Sequence, residues 1–256
     1  MVEETKQPKK EKYSFSKLSS FHTCKYGYQL TYIEHREKAE NAFAQYGSLV
    51  HSIMERYAKG IINLWDLVDV YKKEYSSAVI EQFPHSAFCN LEKLYYDQGI
   101  KFLSNFSGYD KYKIIAVEEE FELEIDDWLF TGIMDLLYED ENGRLILLDY
   151  KSKSSFKNKK ERMEYSRQLY LYCLYIKQKY GRFPDELQFY MFRKEHHEPF
   201  DFVLDSFNEA LSWAKTTVKQ IRDCQWFFPT CDEFFGENLC NNRKHCQYKC
   251  IAKNKK

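Results

Sequence analysis

The stretch from Val117 to Lys151 constrains the fold of this chain more than any other. Val117, Glu119, Phe121, Leu123 and Ile125 alternate with their neighbours at the two-residue period of a β-strand. Trp128 to Tyr138 and Arg144 to Lys151 read as two further strands. Asp140-Glu141-Asn142-Gly143 between them reads as a hairpin turn, with Asn-Gly as its strongest part. A three-residue loop at 141–143 pairs positions whose numbers sum to 284, so Asp135 falls opposite Asp149. A two-residue loop makes the two diagonal neighbours instead. Asp149 and Lys151 are two apart on one strand and share a face. Two carboxylates and one ammonium therefore converge within otherwise apolar strands.

Carboxylates placed opposite each other repel, which weakens a strand pair unless a cation lies between them. A hard divalent cation with oxygen ligands offsets that repulsion, and Mg2+ is commonly held by one or two carboxylates plus substrate phosphate. Such an ion activates water and stabilises charge in a phosphoryl-transfer transition state. Lys151 is placed to orient that water or to neutralise the phosphate. The plainer alternative is a buried Lys–Asp pair without chemistry.

Around this core the pattern predicts helices at 47–59, 64–80 and 91–106. Another follows at about 162–180, stopped by Gly181 and Pro184. Leu187 to Arg193 reads as a short strand, and Asp205 as the cap of a helix reaching about Asp223. Helices, a strand meander, helix, strand and helix in that order predict an α/β fold. Lys plus Arg number 38 and Asp plus Glu 39, a net charge of −1, which excludes a strongly basic nucleic-acid coat but not a local patch. Residues 1–12 read as a disordered charged tail without the apolar segment of a secretory signal. Runs such as Leu145–Leu148 are too short to span a bilayer, so no membrane is expected and the expected location is cytoplasmic.

In a reducing compartment the eight cysteines need a reason other than disulfides. Cys89 and Cys173 lie in apolar helical patterns and read as core residues. Cys240, Cys246 and Cys250 crowd a polar tail, with Cys224 and Cys231 just upstream, and read as metal ligands.

Asp135 followed by Asp149-Tyr150-Lys151 resembles the (D/E)-x-K signature of the PD-(D/E)XK nuclease superfamily, in its RecB-type branch. That branch includes nuclease domains of bacterial break-repair complexes and the CRISPR adaptation exonucleases. Gly47-Ser48-Leu49-Val50-His51 is similar to its G-x-x-x-H motif, Glu118-Glu119-Glu120-Phe121 to its E-x-x-F strand motif, and Gln168 to Tyr172 to its Q-x-x-x-Y helix motif. The resemblance implies a restriction-endonuclease-like core, a central mixed β-sheet flanked by helices. It implies one nuclease domain over 13–256, with a helical part at 13–108, a catalytic sheet core at 109–223 and a metal-cluster tail at 224–256. His51, Asp135 and Asp149 would hold Mg2+ or Mn2+, and Lys151, Gln168, Tyr172 and Glu118 would complete the catalytic set. By strand alternation Glu118 and Glu120 share a face, opposite Val117, Glu119 and Phe121.

The pattern Ser14-x-Ser16-x-Leu18-x-x-Phe21-x-x-Cys24 also resembles the iron–sulfur members of that branch. There, one N-terminal and three C-terminal cysteines hold a [4Fe–4S] cluster, which implies Cys24, Cys240, Cys246 and Cys250 here. The C-terminal spacing departs from the family's C-x2-C-x5-C, and Lys25 stands where Pro often follows the first Cys. Zinc is the rival ion, and Cys231 the rival of Cys240.

Lys151, Lys153, Lys157, Lys159 and Lys160 form a basic run after the site, so Lys153 and Lys157 are candidate DNA contacts. The expected partner is DNA, with single-stranded ends favoured. The absence of a helicase motif points to a helicase or recombination partner for unwinding. The expected function is a metal-dependent deoxyribonuclease, an exonuclease of repair, recombination or phage DNA processing. A non-catalytic DNA-binding scaffold with the same metal cluster is the alternative, and a redox protein explains the cysteines but not the carboxylates.

Overall fold

The computed structural model describes residues 10–230 and 240–248. The expectations for most of the N-terminal tail, for Cys231 and for Cys250 lie outside the described residues. A six-stranded mixed sheet with helices on both faces forms the centre, a restriction-endonuclease-like α/β arrangement. The strands are β1 (Lys12–Ser14), β2 (Lys113–Ile125), β3 (Trp128–Glu139), β4 (Leu145–Lys151), β5 (Glu186–Met191) and β6 (His196–Asp201). The helices are α1 (Phe15–Thr23), α2 (Lys25–Tyr28), α3 (Ala42–Ala58), α4 (Leu67–Ala78), α5 (Leu91–Asn105), α6 (Lys159–Tyr180) and α7 (Leu204–Asp223). No helix among the described residues is long and apolar enough to cross a membrane.

The β3–β4 hairpin has the register expected from its turn, with Leu136 opposite Leu148 and Glu139 opposite Leu145. Strand β4 is apolar on both sides because both of its faces are covered. Its parallel partner β5 is reached through α6, whose length is the usual crossover for parallel strands. Asn158 accepts a 2.9 Å hydrogen bond from Glu161 N and starts α6 at Lys159. Gly181, at φ 79°, ends it.

Each face of the sheet carries its own core. Leu18, Phe21, Trp128, Phe130, Leu169 and Val218 join α1, α6 and α7 to one face. Tyr46, Ile53, Tyr71, Phe102, Leu136 and Leu148 join α3, α4 and α5 to the other. The alternation reverses inside two neighbouring strands. In β3, Trp128, Phe130 and Met134 enter the α6 core, but Leu136 and Tyr138 enter the α3 core. In β2, Phe121, Leu123 and Ile125 lie on the α6 side, whereas Val117 packs on the α3 side. The reversal falls at Asp135 and at Glu118, whose φ of 47° is uncommon for a residue with a side chain. The expectation that Val117 and Phe121 share a face is thereby corrected, because the chain does not keep a two-residue period through Glu118.

Other elements differ from the sequence reading for physical reasons. Helix α3 starts five residues earlier than 47, where Asn41 accepts a 2.9 Å bond from Ala44 N. Strand β1 arises within the stretch expected to be tail and helix, and pairs parallel with Leu129–Thr131. Strand β6 is a polar edge strand containing Pro199, without apolar alternation to reveal it. Asp205 sits in the first turn of α7 rather than at its cap, which Val203 occupies. Cys89 is exposed, because α5 begins only after Asn90 caps it. Cys173 is buried as expected.

Residues 240–248 dock on α2 and on the segment that follows it. Asn242 Nδ2 donates to Gly27 O at 3.1 Å and to Thr31 Oγ1 at 2.8 Å. Ala39 N donates to Asn241 O at 2.6 Å.

Candidate active site

The site begins with a gap in the sheet. β2 runs along one edge of β3, while β1 and β4 share the other. Pairing with β1 stops at Thr131 of β3 and pairing with β4 starts at Leu136, so Gly132–Asp135 have no strand beside them on that edge. Asp135 Oδ2 instead accepts the Tyr150 backbone N–H at 2.8 Å. At this gap, side chains from both faces of the sheet meet.

From the α3 face comes His51. Gly47, one turn earlier, lets α3 approach the end of β4: a Cβ there would lie 3.2 Å from Ser152 Cβ and Oγ. The His51 ring then sits with Nε2 3.0 Å from Tyr150 O and Nδ1 3.6 Å from Asp135 Oδ2. A neutral ring donates its Nε2–H to that carbonyl and leaves the Nδ1 lone pair facing Asp135, the second contact that typically orients a metal-ligating histidine. Burial lowers the His51 pKa and favours this neutral form. His51, Glu118 and Asp135 offer one ligand atom each, all within 4.8 Å of one another. Burial, and then Asp149, raise the Asp135 pKa well above the ordinary carboxylate range. Burial, and then Glu55, raise that of Glu118 to about 7. Both carboxyls thus lack a counter-charge sufficient to offset their burial.

From the α6 face come Asp149, Lys151, Gln168 and Tyr172. Asp149 and Lys151 share a face as expected, with Lys151 Nζ 2.7 Å from Asp149 Oδ2. The contact is a buried ion pair, and the Lys151 ammonium is the only charge-compensating group that meets Asp149 Oδ2 among the described residues. Lys151 Nζ donates to Gln168 Oε1 at 3.0 Å, and Gln168 Nε2 donates to Tyr172 Oη at 3.0 Å. The relay has one direction: ammonium to amide oxygen, amide nitrogen to phenol oxygen. The phenol proton of Tyr172 is left to point elsewhere. Gly132 permits this packing, since a Cβ there would lie 2.6 Å from Phe121 and 2.8 Å from Tyr172.

The structure brings Glu118 into the group around His51 and Asp135 and sets Asp149 on the Lys151 side. Strand alternation did not indicate this, because the turn of Glu118 toward His51 depends on its positive φ. The sequence reading also missed Tyr150, whose main chain holds both His51 and Asp135. No side-chain pattern marks a backbone contact. Lys153 is engaged with Glu161 at 2.6 Å and lies 4.4 Å over the Tyr165 ring, so it closes the loop before α6. Lys157 is exposed at that loop.

Cys24, Cys240 and Cys246 fall in one region; burial first, and then the neighbouring Cys24 and Cys246 thiols, push the Cys240 thiol up. Cys24 Sγ accepts Gly27 N–H at 3.3 Å, and Cys240 Sγ accepts Asn242 N–H at 3.4 Å. Cys250 lies outside the described residues.

A sequence profile described as the PD-(D/E)XK nuclease superfamily matches residues 12–251. No curated protein matches this sequence. Among solved structures, a candidate exonuclease from Eubacterium rectale aligns with a TM-score of 0.51 and 15% identity, over 83% of this chain and 80% of that chain. The structure of SSO0001 aligns with a TM-score of 0.39 and 13% identity, over 96% of this chain and 90% of that chain.

Proposed function

This chain belongs to the PD-(D/E)XK nuclease superfamily, and from that premise we propose that it is a divalent-metal-dependent deoxyribonuclease acting as an exonuclease on single-stranded ends. The observation that carries the reading is the meeting, at one gap in the sheet, of His51, Glu118 and Asp135 with the Asp149–Lys151–Gln168–Tyr172 relay.

The donor set suits Mg2+ or Mn2+: one imidazole nitrogen and two carboxylates within 4.8 Å, with the buried Asp149 carboxylate beside them against Lys151. His51, Glu118 and Asp135 would hold the ion, with Asp149 beside them. When bound, the ion supplies an activated water and charge stabilisation at phosphorus. The remaining work falls to the chain. Lys151 has three donors, of which Gln168 takes one and the Asp149 ion pair faces another, leaving a donor for a phosphate oxygen or the attacking water. Gln168 positions Lys151 and Tyr172 together, and the Tyr172 hydroxyl, which accepts from Gln168, keeps its own proton to donate. Donors fixed in advance stabilise the charge that develops on phosphorus oxygens without reorganising. Hydrolysis breaks one P–O bond, adds hydroxyl to phosphorus and leaves the water's proton with the departing alkoxide.

The shared region of Cys24, Cys240 and Cys246 supports reading these cysteines as a second metal site. Cys24, Cys240, Cys246 and Cys250 would hold a [4Fe–4S] cluster, or zinc, and the N–H···S bonds to Cys24 and Cys240 are of the kind that stabilise metal-bound thiolates. Its role would be to pin residues 240–250 to α2. The location would be cytoplasmic and the pathway repair, recombination or phage DNA processing, with a helicase or recombination partner supplying unwound ends. Protein purified without oxygen is expected to shorten end-labelled single-stranded DNA with Mn2+ and not with EDTA. Folded protein that leaves the strand intact with every divalent ion tried would overturn the reading.

A further inference from the structure

Strand β4 presents the Tyr150 N–H and C=O to the gap, where its pairing with β3 has already ended. The Asp135 carboxylate takes that N–H at 2.8 Å, and His51 Nε2 lies 3.0 Å from that carbonyl, so one residue's main chain sets two proposed metal ligands. The Tyr150 side chain points away from Asp149 and Lys151, into the core beneath α3, α4 and α5. There its phenol is buried and hydrogen bonded to the phenol of Tyr109, which is buried too. Burial first, and then Tyr190 and Tyr57, push the Tyr150 phenol well above its ordinary range, so it stays protonated. Tyr109 belongs to the segment between α5 and β2 and is itself seated on α3. Its N–H donates to Tyr57 Oη at 3.1 Å, and a Cβ on the preceding Gly108 would lie 2.7 Å from the same oxygen. Tyr57 is on the helix that carries His51, and the Tyr150 ring meets the His51 ring edge-on with centroids 5.6 Å apart. Two other phenols of this core, those of Tyr46 and Tyr75, are buried without a partner among the described residues. The core therefore does not pair its phenols by default, and the Tyr109–Tyr150 bond is a specific contact.

We propose that Tyr109 is a positioning residue for the metal centre: its phenol anchors Tyr150, and the Tyr150 main chain in turn fixes the Asp135 carboxylate and the His51 ring. The proposal rests on the reading of His51, Glu118 and Asp135 as metal ligands, and adds a residue that touches neither metal nor substrate. A strand paired on both edges has its peptides held by two ladders. Tyr150 is paired only toward β5, opposite Tyr190, so its side chain supplies the restraint that the gap removes. The contacts run from α3 through Tyr57, Tyr109 and Tyr150 and return to α3 at His51, a closed circuit around the ligand it orients. Partners that orient metal ligands are worth about 10- to 100-fold in metal affinity.

The test uses the full chain and two readouts. Calorimetry with Mn2+ alone reads the metal centre. The ring-nitrogen NMR spectrum of metal-free protein labelled with 15N-histidine reads the His51 Nε2–H, assigned by its loss in His51→Asn. Tyr109→Phe keeps the ring and removes the hydroxyl. It is expected to weaken Mn2+ binding about tenfold or more and to shift the His51 signal. It also leaves the Tyr150 phenol buried without a partner, so its Tm should fall. Tyr109→Phe with Tyr150→Phe removes both hydroxyls, so the Tm should return toward wild type while Mn2+ binding stays weak. Recovery of Tm and Mn2+ affinity together would show a role confined to stability and overturn the proposal. Tyr46→Phe removes a partnerless phenol from the same core and should leave Mn2+ affinity unchanged. An equal loss of affinity in Tyr46→Phe would overturn the specific role of Tyr109. Wild-type Mn2+ affinity and an unmoved His51 signal in folded Tyr109→Phe would overturn the proposal and spare the metal reading. Wild-type protein that binds no Mn2+, with the His51 signal shifted in Tyr109→Phe, would support the anchoring and sink the metal reading.

Discussion

At the residue scale, the site depends on two close approaches and one relay. Gly132→Ala puts a methyl group where Phe121 and Tyr172 already stand, at 2.6 and 2.8 Å. Overpacking of this kind costs about 1–3 kcal/mol. A lowered melting temperature together with reduced cleavage is the expected result, and an unchanged Tm would show that the rings yield. Gln168→Ala cuts the relay while leaving every proposed metal ligand in place. Cleavage should fall about 10- to 100-fold, the usual effect of losing an orienting partner, while Mn2+ affinity measured by calorimetry changes little. A matching loss of metal affinity would place Gln168 among the metal's supports instead. Asp135, Asp149 and Lys151 stood out in the sequence because carboxylates and ammonium within apolar strands carry an evident cost, whereas the Gln168–Tyr172 pair was marked only by its resemblance to a family helix motif. The place of Glu118 was not, since a single positive φ decides it and no residue type demands that φ.

At the element scale, α6 carries Gln168 and Tyr172, and its ends are set locally. Asn158→Ala removes the bond to Glu161 N and should cost about 1 kcal/mol. Activity should be retained at low temperature and lost earlier on heating, and a Tm equal to wild type would contradict the capping role. Glu119 anchors the other end of the helix by accepting from Tyr175 at 2.7 Å, from Tyr180 and from Lys179. Helix α6, the β3–β4 hairpin and α5 were readable because their periods and punctuation agree. Strands β1 and β6 were not. One is three residues long and the other is a polar edge, and both exist only because a finished sheet offers them a partner.

At the scale of the whole molecule, burying carboxyls at the gap costs stability that a cation or protons must offset. The pKa of Glu118 is raised to about 7 and that of Asp135 is raised as well, so the fold holds their protons more tightly than the unfolded chain does. That contribution is complete below the ordinary carboxylate range and is lost as pH rises through about 7. Protein in EDTA should therefore melt at progressively lower temperature as pH is raised from about 5 to about 8, and millimolar Mn2+ should reverse the loss at the upper end. A Tm independent of pH and Mn2+ would contradict the burial of these groups. The same scale limits what a sequence can reveal. The docking of 240–248 on α2 and the segment after it joins positions more than two hundred residues apart through Asn242 and backbone carbonyls, contacts without periodicity to announce them.

Everything proposed for this chain turns on whether the gap between β1 and β4 is a metal-dependent hydrolytic centre. A cleavage time course on end-labelled single-stranded DNA tests it most directly, comparing wild type with Asp135→Asn in Mn2+ and in EDTA. Wild type should shorten the strand progressively in Mn2+ alone, and folded Asp135→Asn should not shorten it at all. Shortening at the wild-type rate by Asp135→Asn, or in EDTA, would contradict a metal-dependent centre there.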